Sequence, residues 1–430
     1  MTRARVNAWV REQLFGPIVK RSFPVLFVFA FLWRRLLFRT TFIAITGSLG
    51  KTTAKECLAV VLGSKGRTFR SYRNQNAPVA VALNILRTRP WHRYAVIEVA
   101  GSDPGMMRRS APMLRPDVAI ILNVLRTHTL VFTGLEQHAI EKARLLDALS
   151  PKGSAVLNDD DPLVSRMGEG KRFRVHRFGS GQTAEYRFDT ISARWPDRLS
   201  FVLHRGTVSQ PIETQLVGAQ WVGSAAAVLT AAVALGIDLK SAAEALKKAE
   251  PFAARMQPAL LPNGAIVLRD DYSASIDTIE ASLCVLEQAN VERRVLVITD
   301  MSDFGRNRKQ RLKYLAARSA QVSDVALFIG ELADYGKRRA IEAGLSSTSA
   351  LAFPSLRSAA EFLCGELRAG DLVLLKGRTT DHAARVFFAQ LGDVACWKTD
   401  CDKRMLCDTC WELGLPGDEL RRSTLVRPSH

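Results

Sequence analysis

A lysine and two hydroxyls stand directly behind a pair of glycines in Thr46-Gly-Ser-Leu-Gly-Lys-Thr-Thr53. Glycines let a backbone approach an anion closely, and the N–H groups opening a helix point at it. Lys51 would reach the outer phosphates of a nucleoside triphosphate. Thr52 would offer its hydroxyl to Mg²⁺, a hard cation that takes few protein oxygens and keeps its waters. In the general phosphate loop four residues separate the first glycine from the Gly-Lys pair. Here only Ser48 and Leu49 separate Gly47 from Gly50, and Ile45 stands where the earlier glycine would fall. Glu98 lies inside the apolar run Tyr94–Ala100, where a carboxylate is costly unless paired or bound to metal. His128 follows the apolar run Val118–Val124, and Asn158 opens an acidic turn. The tail reads Cys396-x4-Cys401-x5-Cys407-x2-Cys410, four thiols that match the ligand count of structural zinc. Its spacing is short for a zinc ribbon, and an iron–sulfur cluster or reduced free thiols are the other readings.

These residues need elements to position them. Phe42–Ile45 reads as a buried strand, followed across the loop by a helix ending near Leu62, with Gly63–Gly66 as its stop. Tyr72–Pro78 is an asparagine-bearing loop before the periodic Val79–Leu86; Asn74 and Asn76 read either as helix caps or as substrate contacts. Residues 171–217 alternate apolar and polar with Gly and Pro breaks, a β-rich stretch. An Ala-rich helix runs to Leu235 and a second from Leu239. Beyond Pro251 strands and helices alternate again, with runs at Val267–Asp270, Arg294–Thr299, Val325–Gly330 and Asp371–Lys376. The expected class is α/β: a P-loop central domain and a doubly wound C-terminal domain with its functional loops at strand C-termini. The expected divisions are 1–41, a hydrophobic and basic segment; 42–250, the ATP-binding domain; 251–395, the C-terminal domain; and 396–430, the Cys-rich tail, frayed from Arg421.

The chain has 430 residues, 47% of them hydrophobic and 24% charged, which suits two or three folded domains. Its formal charge is +18, yet no nucleic-acid module or aromatic-interleaved basic stripe is present, so nucleic acid is not the expected partner. The first 40 residues hold eight Arg or Lys against Glu12 alone, around an unbroken apolar run from Phe23 to Trp33. That run is shorter than the about 20 residues needed to span a bilayer. One reading is an anchor on an anionic membrane surface, with arginines among lipid phosphates; the other is a hydrophobic helix docked on the catalytic domain. The scattered cysteines, without a cleavable leader, point to a reducing compartment and a cytoplasmic site, peripheral on the inner face of the membrane.

Taken in order over about residues 42–392, the motifs resemble the Mur ligases, and among them the MurF-type enzymes of cell-wall peptide synthesis. The carriers are the short phosphate loop, Asn123-x4-His128 with Glu141-Lys142 downstream, Gly153–Pro162, Asp270-Asp-Tyr-Ser-Ala-Ser275, Thr299-Asp-Met-Ser-Asp-Phe-Gly305 and Lys376-Gly-Arg378. The resemblance implies an ATP- and Mg²⁺-dependent ligase that joins a carboxylate to an amine through an acyl phosphate. It places Thr46, Gly47, Ser48, Leu49, Gly50, Lys51, Thr52, Thr53, Asn158, Arg255 and Asp271 on ATP, and Thr52, Glu98 and His128 on Mg²⁺. It makes Lys51, His128 and Lys142 catalytic, Lys142 as the position carbamylated in the family. It puts Asn74, Asn76, Tyr272 and Lys376 on the substrate side. Departures are Ala143-Arg144 where Gly-Glu is usual, Gln220, Trp221 and Ser224 in the nucleotide-facing Gly-x-His-Asn-x-x-Asn segment, and serines for asparagines at 273 and 275. Lys142 could then be an ordinary surface lysine, and adenine placement is altered. The domain that grips a UDP-sugar is not expected ahead of the loop, which favours a membrane-held acceptor. Two rivals stand beside this: a polymerising ligase like those making poly-γ-glutamate, and an ATP-binding scaffold without turnover.

Overall fold

The computed structural model describes residues 16–125, 134–299, 308–399, 401, 403 and 405–426, with side chains from Phe23 onward. His128 and the loop beyond Thr299 lie outside them. Two compact units form: residues up to 190 with 201–212 and 222–249, and residues 191–200 with 213–221 and everything from Glu250 on.

The first unit is built on a nine-stranded sheet of order β2-β3-β1-β4-β5-β6-β7-β8-β9. β1 (Thr41–Thr46), β2 (Thr68–Arg70), β3 (Tyr94–Glu98), β4 (Val118–Ile121) and β5 (Ser154–Asn158) run parallel. β6 (Arg174–Gly179), β7 (Tyr186–Ser192), β8 (Ser200–Arg205) and β9 (Val208–Glu213) supply the expected β-rich stretch as an extension of the same sheet. Residues 42–46 of β1 are all buried because both faces of the sheet are covered, which is why the strand reads as a continuous apolar run. Phe42 and Ala44 face one core with α1 (Gly16–Leu36), α3 (Pro78–Arg87), α4 (Met106–Leu114) and α5 (Leu135–Asp147). Ile43 and Ile45 point the other way, where α2 (Lys51–Gly63) packs on the sheet, backed by the Ala-rich α7 (Val222–Ala234) and α8 (Leu239–Leu246). The short α6 (Pro162–Arg166) follows β5, capped by Asp161. β1 pairs with β3 on one side and β4 on the other, so the chain's direction of travel across the sheet reverses there. Open α/β sheets place their crevice at such a point, at the strand's C-terminal end.

α1 resolves the two readings of the N-terminal segment partly in favour of docking. Ala30, Leu37, Trp33 and Arg34 face the domain at helical spacing. Arg34 is buried rather than set among phosphates. Its guanidinium donates to the free carbonyls at the end of α4, Leu114 O and Arg115 O at 2.8 Å each, and pairs with Asp117 at 3.0 Å. Cations are favoured at a helix C-terminus, where unpaired carbonyls collect negative charge. Trp33 Nε1 donates to Thr88 O at 2.9 Å. No described helix is long and apolar enough to cross a membrane.

The second unit carries a six-stranded sheet of order β10-β11-β15-β12-β13-β14, parallel except for β10 against β11. The strands are β10 (Gln257–Leu260), β11 (Ile266–Asp270), β12 (Arg293–Thr299), β13 (Val325–Ile329), β14 (Ala350–Phe353) and β15 (Asp371–Lys376). Helices α9 (Ile276–Gln288), α10 (Arg308–Val322), α11 (Ala333–Glu342), α12 (Leu356–Glu366) and α13 (Ala384–Phe388) connect or flank them. The Cys-rich tail is part of this unit. Cys407 and Leu413 join its core, α14 (Gly417–Ser423) follows, and Leu425 bridges to Ala259. The fraying expected from Arg421 therefore does not occur as far as Val426: backbone bonds to Leu260 and Pro258 hold the segment.

Candidate active site

The phosphate loop leaves β1 and turns into α2 at the switch point. Gly50 takes φ +81°, the left-handed region that only glycine enters at low cost, and a Cβ there would stand 2.3 Å from Ser224 Oγ. Gly50→Ala is expected to cost about 1–2 kcal/mol from the backbone alone and to weaken ATP binding, both readable from denaturant melts with and without nucleotide. Asn123, just past β4, clamps the loop: its Oδ1 accepts from Ser48 N at 2.9 Å and Leu49 N at 2.8 Å. Ser48 Oγ in turn accepts from Leu125 N at 2.9 Å. Lys51 Nζ folds back onto Gly47 O at 2.7 Å and Ser48 O at 3.1 Å, an ammonium held at the loop mouth.

Thr52 and Glu98 meet. Thr52 Oγ1 donates to Glu98 Oε2 at 2.9 Å, while Asn76 Nδ2 donates to Oε1 at 2.8 Å. The buried carboxylate is thus satisfied on both oxygens, as its burial requires. Ser71 Oγ accepts from the Glu98 backbone N–H at 3.1 Å and fixes the strand end. Of the two asparagines in the loop, Asn76 reaches this cluster and Asn74 is exposed. Thr46 Oγ1 and Thr53 Oγ1 are buried and have no hydrogen-bond partner among the described residues. Asn158 bridges strand ends, donating to Leu122 O at 2.8 Å and accepting from Asp160 N at 3.0 Å.

Lys142 is buried, not a surface lysine. It lines a cavity of about 140 Å³ with Gly47, Ser48, Lys51, Asn76 and Gly101. Burial first, and the nearby Lys51 charge second, push its amine well below the usual lysine range, against the pull of Glu141. Glu141 is occupied by Met107 N at 2.8 Å and by Arg144 at 3.2 Å, so Arg144 forms an ion pair on α5 where the family pattern has an acid. Ser102 and Gly101 complete the cavity wall; no spacing signal in the sequence marked them or the role of Asn123.

Within the second unit, Lys376 ends β15 directly opposite Asp270 at the end of β11, and the two form a buried ion pair. Lys376 Nζ also donates to Thr278 O at 3.2 Å. The aromatic ring of Tyr272 lies under the Arg255 guanidinium, 4.4 Å from its centroid, and edge-on to Phe252. Asp271 faces inward. Both its oxygens accept from Arg269, at 3.1 and 3.0 Å, and Arg269 also grips Asp408 of the tail at 2.7 and 3.1 Å. Burial works against the Arg269 cation, but the two carboxylate charges overcome it and hold its pKa above the ordinary value. The carboxylate of Asp271, expected on ATP, is thus engaged by Arg269 inside the domain.

Cys396, Cys401, Cys407 and Cys410 line one small cavity with His382, whose Nδ1 is 3.4 Å from Cys407 Sγ. Among the described residues, however, no three His, Cys, Asp or Glu side chains are arranged to hold a metal ion. The four thiols are all free, and the zinc expectation gains no support. Around Glu98 the donors are a carboxylate and a hydroxyl, the hard oxygens that suit Mg²⁺.

A switch-point loop ending in Lys51-Thr52, with a carboxylate from the adjoining strand against the threonine, places the first unit among the P-loop nucleotide-binding α/β domains. The family models for the Mur ligase middle domain and for the Mur ligase glutamate ligase domain match residues 45–232 and 254–379. The chain belongs to the Mur ligase family and carries its middle and C-terminal domains. It is 28% identical over 385 residues to a UDP-N-acetylmuramoyl-tripeptide–D-alanyl-D-alanine ligase of Mycobacterium tuberculosis, covering 83% of this chain and 74% of that one. It is 29% identical over 276 residues to the Escherichia coli ligase of the same name, 64% of this chain and 60% of that one. A crystal structure of MurF from Acinetobacter baumannii superposes with a TM-score of 0.80 at 25% identity, covering 86% of this chain and 80% of that one.

Proposed function

We propose that the chain is an ATP-dependent carbon–nitrogen ligase that activates a carboxylate as an acyl phosphate and joins it to an amine, in cell-envelope peptide synthesis. The observation that carries this reading is the convergence of Lys51, Thr52, Glu98, Asn76 and Lys142 around one loop mouth and cavity. ATP is the substrate read by the loop. A substrate carboxylate oxygen attacks the γ-phosphorus and ADP leaves. A neutral amine then attacks the acyl carbon, phosphate leaves, and the amine's proton is released. No protein nucleophile is required, so the residues act by charge and position. Lys51 turns outward from its loop carbonyls to the phosphates. Glu98, oriented by Asn76 and by Thr52, and Thr52 itself are the groups that would hold Mg²⁺, with His128 as the family's further ligand; the ion supplies charge neutralisation when bound. In the second unit Arg255, Tyr272 and Lys376 are proposed to serve the nucleotide and substrate. An acceptor and an amine like those in the relatives' names, a UDP-N-acetylmuramoyl tripeptide and D-alanyl-D-alanine, are the first pair to offer. A peripheral site on the inner face of the cytoplasmic membrane is proposed with the activity, on the strength of the apolar and basic α1.

Lys142 is proposed to be carbamylated. Only a neutral amine reacts with CO₂, and the lowered pKa keeps more of this one neutral at a given pH than an exposed lysine. Activity in CO₂-depleted buffer is expected to fall several-fold and to recover with bicarbonate, while Lys142→Arg is inactive under both conditions. A parent enzyme indifferent to bicarbonate contradicts the carbamate. Trapping the reaction with hydroxylamine tests the ligase reading: a hydroxamate that needs ATP and the acid supports it, and formation of AMP in place of ADP overturns it.

A further inference from the structure

α1 shows two apolar faces, and among the described residues one is packed and the other exposed. Leu26, Phe27, Ala30, Trp33 and Leu37 pack on the domain. Val25, Val28, Phe29, Leu32 and Leu36 recur at the three- and four-residue spacing of the opposite face and are 53–67% exposed. Phe38, just past the helix, is 83% exposed. A soluble helix ordinarily presents polar residues there, so this is an apolar patch that no described residue of the chain covers.

Its surroundings say what covers it. Besides the buried Arg34, residues 16–40 contain four Lys or Arg and no acid. α4, packed beside α1, adds exposed Arg108 and Arg109, with exposed Arg115 just past its end, and the α3–β3 connection adds exposed Arg89 and Arg93. Asp117, the nearby acid, is already paired with Arg34. An apolar stripe with a cationic rim fits lipid headgroups of negative charge. A second copy of the chain would bring the same arginines against themselves, which like-charge repulsion opposes. Trp91, 60% exposed on the connection whose Thr88 carbonyl holds Trp33, adds an amphipathic ring of the kind that sits at the membrane boundary.

We infer that the outward face of α1 is the membrane-contact surface: the helix lies in the plane of an anionic bilayer, its far side fixed to the catalytic domain. This deepens the proposed membrane-side location and does not rest on the ligase chemistry. The domain would then be held rigidly against the bilayer, because Arg34 and Trp33 tie the helix to α4 and to the end of α3.

The test is co-sedimentation of the full chain with vesicles of phosphatidylcholine plus phosphatidylglycerol, against phosphatidylcholine alone, at low and high salt. The parent is expected to bind the anionic vesicles, more weakly as salt rises. Phe29→Ser with Leu32→Ser should weaken binding about tenfold or more, from the lost transfer of two side chains, with the thermal melt unchanged. Val28→Thr with Leu36→Thr provides a second variant should the first not fold. Parent-like binding by a folded variant overturns the assigned face while leaving the location standing. No parental binding to either vesicle overturns both. A parent dimer that the variants convert to monomer, without vesicle binding, assigns the face to a second copy and overturns the proposal.

Discussion

Lys51→Ala should lower the rate of ATP-dependent ligation by roughly 10²–10³-fold or more, the loss typical when one charge-stabilising donor is removed from a phosphoryl- or acyl-transfer site. Lys51 is half-buried at the loop mouth and donates to carbonyls of its own loop, and a thermal melt run beside the rate checks that the variant folds. Lys51→Arg should not restore the rate, since a planar guanidinium does not fit where a compact ammonium on a flexible stem is needed. A second consequence follows from the neighbouring lysine. The Lys51 charge is one of the two causes that depress the Lys142 pKa. Removing it raises that pKa, protonates more of the amine at a fixed pH, and should shift the bicarbonate response to higher pH. Steady-state rates across pH and bicarbonate concentration read both effects, and a Lys51→Ala enzyme with parental turnover contradicts the assignment.

Arg269→Met should destabilise the second unit by about 3–5 kcal/mol, the cost of leaving a buried charge uncompensated. Arg269 is fully buried at the end of β11, and its guanidinium is shared between Asp271 and Asp408. Without it the buried Asp271 and Asp408 carboxylates face each other with Arg421, 3.6 Å from Asp408, left to offset them, beside Phe387 and Phe388, which also stack on the cation. Asp408→Asn should cost less, because Asp271 still balances Arg269 and the amide still accepts one hydrogen bond. Chemical denaturation ranks the two. Equal losses would mean that the tail carboxylate carries as much of the network as the arginine.

The sequence made some of this plain and hid the rest, for separable reasons. β1, the loop and the start of α2 are legible because strand period, glycines and Lys-Thr all agree locally. Glu98 stands out because a lone carboxylate in an apolar run demands a partner, and the partners are Thr52 and Asn76. Asn123 is named by its motif, but its role escapes because its work is backbone clamping from a different strand, 74 and 75 residues away from the N–H groups it holds. Arg269 and Asp408 escape for the same reason at greater separation, 139 residues, and because a charged residue in a strand reads as solvent-facing until its partners are known. Asp271 was expected on ATP from its motif alone; the arginine two residues earlier holds its carboxylate inward. The N-terminal run posed a choice between membrane and domain because hydrophobicity alone does not say which face is used. α1 docks one face and leaves the other apolar and exposed. The four tail thiols matched a zinc ligand count and line one cavity, but among the described residues they lack the arrangement a metal needs.

The most direct test of the ligase is ADP and phosphate formation by the full chain with vesicles present, over pairs of carboxylate and amine substrates that begin with a UDP-N-acetylmuramoyl tripeptide and D-alanyl-D-alanine. Release that requires both partners of a pair, and vanishes in Lys51→Ala, is the predicted result. Nucleotide binding with no pair-dependent release, or release indifferent to the acid and the amine, would contradict it.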